Sequence, residues 1–550
     1  MKIKQLEKQI MRWMCLFVGL LFVSNELDND CWFLLNHGRY VVEYGIPYIE
    51  PFTIHENFSF VMQQWLTSVV FWEIYKYFGP VGLVITLYVV GALTIYAFYR
   101  LVLMTSEGNR DTALVISSFV GILISCFFIR TRPQIFSTLI FILEFIGLEM
   151  LRLTNDRKCL FLFPLLSLVL INMHAAMWPM MLIFLLPFLL DYCDRYDTYG
   201  WLVHDGKIKI WYLLFIALLV VVAGFINPYG WDAMTYVFRS YGYDLISNNI
   251  SEMQPITVRT GLGRIFELIF LLVIVLYARH KITVRYMIVT FGMMLMAASS
   301  IRNIYLFLAI GLYPLAYIYR DWHGLIKPIK RTYNTRIRKI LILMINCAFL
   351  LMVIAQEESI LKIMKSEGHV LFVIMMIAVC AIAFAEWKRG YLNIVRDKTL
   401  RFGYASVIVV VCCSIFLLIG YRLANSNRLP GSAQAVDYIL QHDQSNNVRM
   451  WSNYYDGPYI EFRGLSCFLD ARAEVFLISN NKQRDVLYEY FSLEKGKVDY
   501  RTFLSWYDFN YILVTENDIM YTYLPSDDNY ELVLNYTSNN GEKYCLYHVK

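Results

Sequence analysis

Two aspartates, Asp28 and Asp30, stand just beyond the first long apolar run of this 550-residue chain. At spacing i, i+2 both side chains reach one pocket when the segment is extended or turned. A carboxylate there can serve as general base for an acceptor hydroxyl, and Asp30 can also help hold a divalent cation, Mg²⁺ or Mn²⁺. The plain structural alternative is a helix-capping pair, because Asp is a good N-cap for the helix expected over CWFLLNHGRYVVEY. Three arginines, Arg130, Arg132 and Arg302, recur at the ends of later apolar runs, beside the polar breaks IRTRPQ and SIRN. Arginine matches phosphate in two-pronged geometry, so the set suits an anionic group; the alternative is snorkelling or pairing with nearby acids. Further polar candidates for substrate contact are His55, Glu56 and Gln64 in the first loop, His174 in the NMHAAM break and Glu252 in SEMQP.

These residues need a membrane to position them. The chain is 58% hydrophobic and 17% charged, which excludes an ordinary soluble enzyme and points to an α-helical polytopic membrane protein. Apolar runs near 11–24, 81–104, 112–129, 135–151, 159–172, 175–190, 210–226, 263–279, 284–300, 303–319, 339–355, 369–385 and 403–421 give about thirteen spans. Residues 61–79, which mix Gln63, Gln64, Glu73 and Lys76 with aromatics, suit an interfacial helix. No small-residue cleavage site follows Leu16–Val23, so that stretch reads as a retained span rather than a signal peptide. The net charge of +5 lies mostly in short loops and reads as topology, with no nucleic-acid partner expected. The basic loops 278–285, 320–339 and 386–401 belong in the cytoplasm with the N-terminus. They share one side only if 159–190 crosses twice. That parity puts the acids, the arginines and residues 425–550 on the extracytoplasmic face of a plasma (inner) membrane.

Composition changes near residue 425, after which charge and turn residues become frequent. The pattern predicts helices at 432–442, 455–462, 480–492 and 499–506, strands at 447–452, 466–470 and 510–515, and a hairpin over 530–549. This gives two domains: a membrane domain over 1–424, with its first outer loop at 25–66, and a small extracytoplasmic α/β domain over 425–550. The eleven cysteines contain no metal spacing; Cys467 and Cys545 are candidates for a bridge. WSNYYDGPY (451–459) reads best as a strand-to-helix connection with a buried Trp and an Asp-Gly turn. In FLDARAEVF (468–476), Asp470 and Arg472 either pair structurally or line the mouth of a site.

The segment D-x-D-x-W, GRYVVEYGIP, EPFT and QQWL resembles the first outer loop of bacterial GT-C-type membrane glycosyltransferases, which transfer a sugar from a polyprenyl-phosphate carrier. TRPQIFS, NMHAAM, NPYG, SEMQP and SIRN look like further pieces in the same order, so the resemblance covers most of the chain. It implies a GT-C-like fold. It makes Asp30 or Asp28 the catalytic or metal-binding acid of the first loop, with Arg130 and Arg132 as contacts to the donor phosphate and His55-Glu56 near the acceptor. The expected activity is inverting transfer of a hexose or pentose from a polyprenyl-phosphate sugar to a cell-envelope acceptor. The alternatives are a lipid-linked glycan polymerase or transport protein, and a non-catalytic membrane protein that presents its outer domain. Shared placement of Asp28/Asp30 and Arg130/Arg132 is what separates the first reading from the others.

Overall fold

The computed structural model describes residues 12–24, 27–190, 208–240, 242–280, 282–321, 429–443, 445, 447–539 and 541–550. The spans expected at 339–355, 369–385 and 403–421 lie outside these residues. Five described helices are long and apolar enough to cross a membrane: Trp65–Thr105, Arg110–Phe127, Gln134–Thr154, Gly261–Ala278 and Ile301–Ile318. The helix Gln134–Thr154, at 21 residues, extends about 31 Å and matches a hydrocarbon core of about 30 Å. Shorter apolar helices cover Arg12–Phe22, Ala175–Leu189, Ile210–Gly224 and Val284–Ser299. The protein is a helical membrane protein.

Helix α1 (Asp30–Tyr44) lies in the first loop, and α2 (Trp65–Thr105) follows it. The interfacial helix expected at 61–79 runs from Trp65 into the next span, with the backbone broken at Gly79 (φ 61°) before Pro80. Glycine tolerates that angle, and Pro80 has no N–H to miss at the start of the continuing segment. Helix α1 crosses α2 so closely that a Cβ on Gly38 would meet the Ser68 carbonyl oxygen at 2.1 Å. Helix α3 (Arg110–Phe127) is capped by Asn109, whose side chain accepts from the amides of Asp111 and Thr112. Helix α4 (Gln134–Thr154) begins two residues after Arg132. Helix α5 (Leu162–Met173) ends where His174 turns out of helical geometry (φ −160°, ψ 73°), which is the polar break read in NMHAAM.

The C-terminal residues build a five-stranded sheet of order β2-β1-β3-β5-β4. Its strands are β1 (Arg449–Trp451), β2 (Ser466–Cys467), β3 (Tyr511–Thr515), β4 (Tyr530–Thr537) and β5 (Lys543–Val549). β1 pairs in parallel with β2 and β3, while β5 runs antiparallel to both β3 and β4. All five residues of β3 are buried, as an apolar YILVT strand at the sheet centre requires. The helix expected at 480–492 is two helices, Ile478–Asn481 and Val486–Glu494, separated by Lys482 in left-handed conformation (φ 66°). Cys467 and Cys545 are both free thiols. They sit on β2 and β5, three strand spacings or about 14 Å apart, well beyond disulfide reach.

Candidate active site

The first loop is clamped to the C-terminal sheet. Thr53 bridges Cys467 at the β2 edge, and the Ile54 amide donates to the Cys467 carbonyl at 3.0 Å. Trp32 on α1 packs its ring 5.0 Å from Tyr459 and 5.1 Å from Phe462. Beneath this seam Arg472, 4% exposed, meets Glu50 at 2.9 Å, Asp470 at 2.5 Å and Glu461 at 3.5 Å. Its guanidinium also lies over the rings of Phe52 and Phe60. Asp470 and Arg472 therefore pair structurally, and Glu50 and Glu461 join them. No local spacing signals this group, because Glu50 arrives from the other end of the chain. Trp451 is fully buried, and Asp456 precedes the helix Gly457–Phe462, so WSNYYDGPY is the strand-to-helix connection it resembled.

At the N-terminus of α1 the two candidate acids meet the arginine loop. Arg132 Nε lies 2.8 Å from Asp28 Oδ1 and 3.2 Å from Asp30 Oδ2, and its Nη1 lies 2.7 Å from Glu252. Arg130 adds a longer contact to Asp28 at 3.5 Å. The Asp28 backbone amide donates to the Thr131 hydroxyl at 2.9 Å, which fixes the loop against IRTRPQ. Glu252 is held from behind, since the Ser300 hydroxyl donates to its carbonyl and the Ile301 amide donates to Gln254. The Asn29 side-chain amide donates to the Tyr455 carbonyl at 2.6 Å, so the C-terminal residues form the rim. Sequence reasoning missed Thr131, Asn29 and Tyr455, whose contacts each join a side chain to a main-chain group of a distant segment.

The two acids are not equivalent. Asp28 has a side chain only 6% exposed, and its carboxylate is taken up by Arg132, Arg130 and the Asp30 amide. Asp30 is 26% exposed. Burial pushes its carboxyl up to about 7; Arg132 opposes that rise, Asp28 and Glu252 add to it, and Arg302 opposes it from further away. Burial alone would lower the pKa of Arg132, but Asp30, Asp28 and Glu252 outweigh it and raise it. Arg132, expected as a phosphate contact, is thus the hub of three carboxylates. Arg130, with a side chain 48% exposed, keeps the more open position. The same hub bears on a metal. Asp28, Asp30 and Glu252 converge on the point that the Arg132 guanidinium fills, so a divalent ion at Asp30 would have to displace it. Among the described residues, no group of three or more His, Cys, Asp or Glu side chains is arranged to hold a metal ion. The residues present do not fit that cofactor.

A second polar group lies alongside. Trp65 Nε1 donates to Asn172 at 3.0 Å, and the Ala175 amide donates to the Gln63 carbonyl at 2.9 Å, which joins QQW to NMHAAM. His174 is buried with Nδ1 2.7 Å from the Ser137 hydroxyl, and Gln64 is buried beside this seam. Arg302 stands within electrostatic reach of both His174 and Asp30 and so connects the two groups. His55 and Glu56 lie elsewhere. His55 is buried against Phe58 and Phe468, its Nε2 2.7 Å from the Phe468 carbonyl, while Glu56 is exposed. Desolvation pulls the His55 pKa down to about 4.

No family model and no curated protein matches the chain by sequence. Two solved structures are similar to it by fold comparison. ArnT from Cupriavidus metallidurans bound to undecaprenyl phosphate is 12% identical at a TM-score of 0.49, covering 98% of this chain and 96% of that one. The oligosaccharyltransferase of Archaeoglobus fulgidus, tethered with an acceptor peptide containing the NVT sequon, is 11% identical at a TM-score of 0.46, covering 94% of this chain and 70% of that one.

Proposed function

We propose that the protein transfers a sugar from a polyprenyl-phosphate carrier to an acceptor hydroxyl at the extracytoplasmic face of the membrane. The observation that carries this reading is the convergence of Asp28, Asp30, Arg130, Arg132 and Glu252 from three separated segments. Asp30 is the general base: it is the more exposed of the two aspartates, and its position near 7 suits proton transfer at physiological pH. It takes the proton of the acceptor hydroxyl as that oxygen attacks the anomeric carbon. The bond from that carbon to the carrier phosphate breaks, its electrons leave with the phosphate, and the configuration inverts. Arg130 and Arg302 receive the leaving phosphate, while Asp28 and Glu252 hold Arg132 and so set the field around Asp30. Arg132 already supplies positive charge between the acids, so no step is routed through Mg²⁺ or Mn²⁺, and chelation leaves transfer unchanged in this reading.

Arg→Lys keeps charge but loses the two-pronged fit to phosphate. Undecaprenyl phosphate is therefore expected to bind the Arg130→Lys and Arg302→Lys proteins more weakly than the wild type. Truncation to alanine is expected to cost about 2–5 kcal/mol if the phosphate is desolvated on binding. Equal affinity in both lysine variants would remove these arginines from the donor site.

A further inference from the structure

A cavity of about 450 Å³ between α1 and the β2 edge takes no part in the chemistry above. Its size falls among pockets that hold small ligands. One wall is a single face of α1, with Asn36, Arg39, Tyr40, Glu43 and Tyr44 at helical spacing; Phe52, Glu461 and Ser466 stand opposite. These α1 residues begin about 9 Å along the helix from Asp30 and end about 21 Å from it, at 1.5 Å per residue. The aromatic lining is layered: Tyr40 lies 5.0 Å from Tyr44 and 5.3 Å from Phe52, and Tyr44 is 73% exposed at the rim. At the cavity wall Glu461 is only 2% exposed, and its Oε2 has no hydrogen-bond partner among the described residues. A ligand hydroxyl would give that oxygen a partner.

The charges narrow the ligand. Arg39 is the one cation among the lining residues, and it is held against the wall. Its guanidinium donates to Asn36 at 2.7 Å and to the Phe462 carbonyl at 2.9 Å, and it lies over the rings of Trp72 and Phe462. Two acids, Glu43 and Glu461, outnumber it on the lining, which disfavours phosphate. Burial, reinforced by Asp470, raises the Glu461 carboxyl, while Arg472 opposes that rise. The remaining groups are the Asn36 amide, the Glu43 carboxylate and the Ser466 hydroxyl, set among tyrosine rings. That is a surface of mixed donors and acceptors with flat apolar faces.

We propose that this cavity binds a neutral sugar residue, at a site separate from Asp30. Ring faces would cover the C–H face of the sugar, and Glu43, Glu461 and Ser466 would take its hydroxyls. The inference does not depend on the transferase reading. The test is saturation-transfer difference NMR on the full chain in lipid nanodiscs, with cellobiose, chitobiose and mannobiose as probes and inorganic phosphate as competitor. At least one disaccharide should bind with a dissociation constant on the order of 1 mM, a weak-site affinity. Binding should fall about tenfold in Tyr44→Ala and in Glu43→Gln, the scale of 1.4 kcal/mol. It should persist in Asp30→Asn and resist phosphate. Tyr44 is exposed, so its removal leaves the fold intact. Failure of all three sugars to bind, equal binding in Tyr44→Ala, or displacement by phosphate would each overturn the proposal. Loss of binding in Asp30→Asn would also overturn it, by moving the sugar to the acid–arginine site.

Discussion

Removing either of two neighbours should move the Asp30 titration in opposite directions. Arg132 lies 3.2 Å from Asp30 and lowers its pKa, while Glu252, 2.7 Å from Arg132 on the far side, raises it. An opposite charge at such range shifts a carboxylate by about 1–3 units. Arg132→Ala should therefore carry Asp30 from about 7 to roughly 8–10, a change of about 1.4–4 kcal/mol in favour of the protonated acid. Glu252→Gln removes a repulsive charge at longer range and should lower the Asp30 step by less than that. A base must be deprotonated to act, so activity rises with pH through this step. At pH 7 Arg132→Ala should be slow and recover in alkaline buffer, whereas Glu252→Gln should extend activity to lower pH. The carbonyl stretch of protonated Asp30 in infrared difference spectra, checked by its loss in Asp30→Asn, follows the titration without any substrate. Shifts of the same sign in the two variants, or no shift in either, would refute the electrostatic account of the site.

Two further outcomes follow from the fold. His55 is held neutral near 4, while in the unfolded chain it titrates at its ordinary 6.5. The unfolded chain thus binds the extra proton between those values, and stability falls as pH drops from 6.5 to 4, by on the order of 3 kcal/mol in total. Thermal unfolding of the wild type should show that acid-side loss and His55→Asn should flatten it; parallel curves would show that His55 is not its source. The basic loops at 320–339 and 386–401 call for a cytoplasmic N-terminus and an extracytoplasmic C-terminus. A reporter active only outside the cytoplasm should work after Lys550 and fail at Lys330, and the reverse would place the acids on the wrong face.

The site was legible in the sequence where chemistry conflicts with location. Acids just past an apolar run, and arginines at the ends of others, are expensive enough there to need a partner, and Asp28, Asp30, Arg130, Arg132 and Glu252 prove to be each other's partners. What the sequence could not show is who pairs with whom. Arg130 and Arg132 look alike in IRTRPQ, yet one is the hub of three carboxylates and the other stays half exposed. Strand and turn residues likewise marked most of the C-terminal elements, because period and turn chemistry are local. The break at Lys482 escaped because a left-handed lysine leaves no compositional trace. The Glu50–Arg472 pair escaped because it spans more than 400 residues of chain. The packing of His55 against Phe468 and Tyr507 escaped for the same reason, since both rings come from residues more than 400 positions away.

The central claim is that Asp30 is the base of a lipid-linked sugar transfer. It is tested most directly by transfer from a panel of radiolabelled polyprenyl-phosphate sugars in membranes holding wild type, Asp30→Asn, Asp28→Asn or the double variant. Wild-type membranes should transfer at least one sugar, Asp30→Asn should lose about 10²–10⁴-fold with normal insertion, and Asp28→Asn should lose less. Near-native transfer by the inserted double variant would contradict the claim.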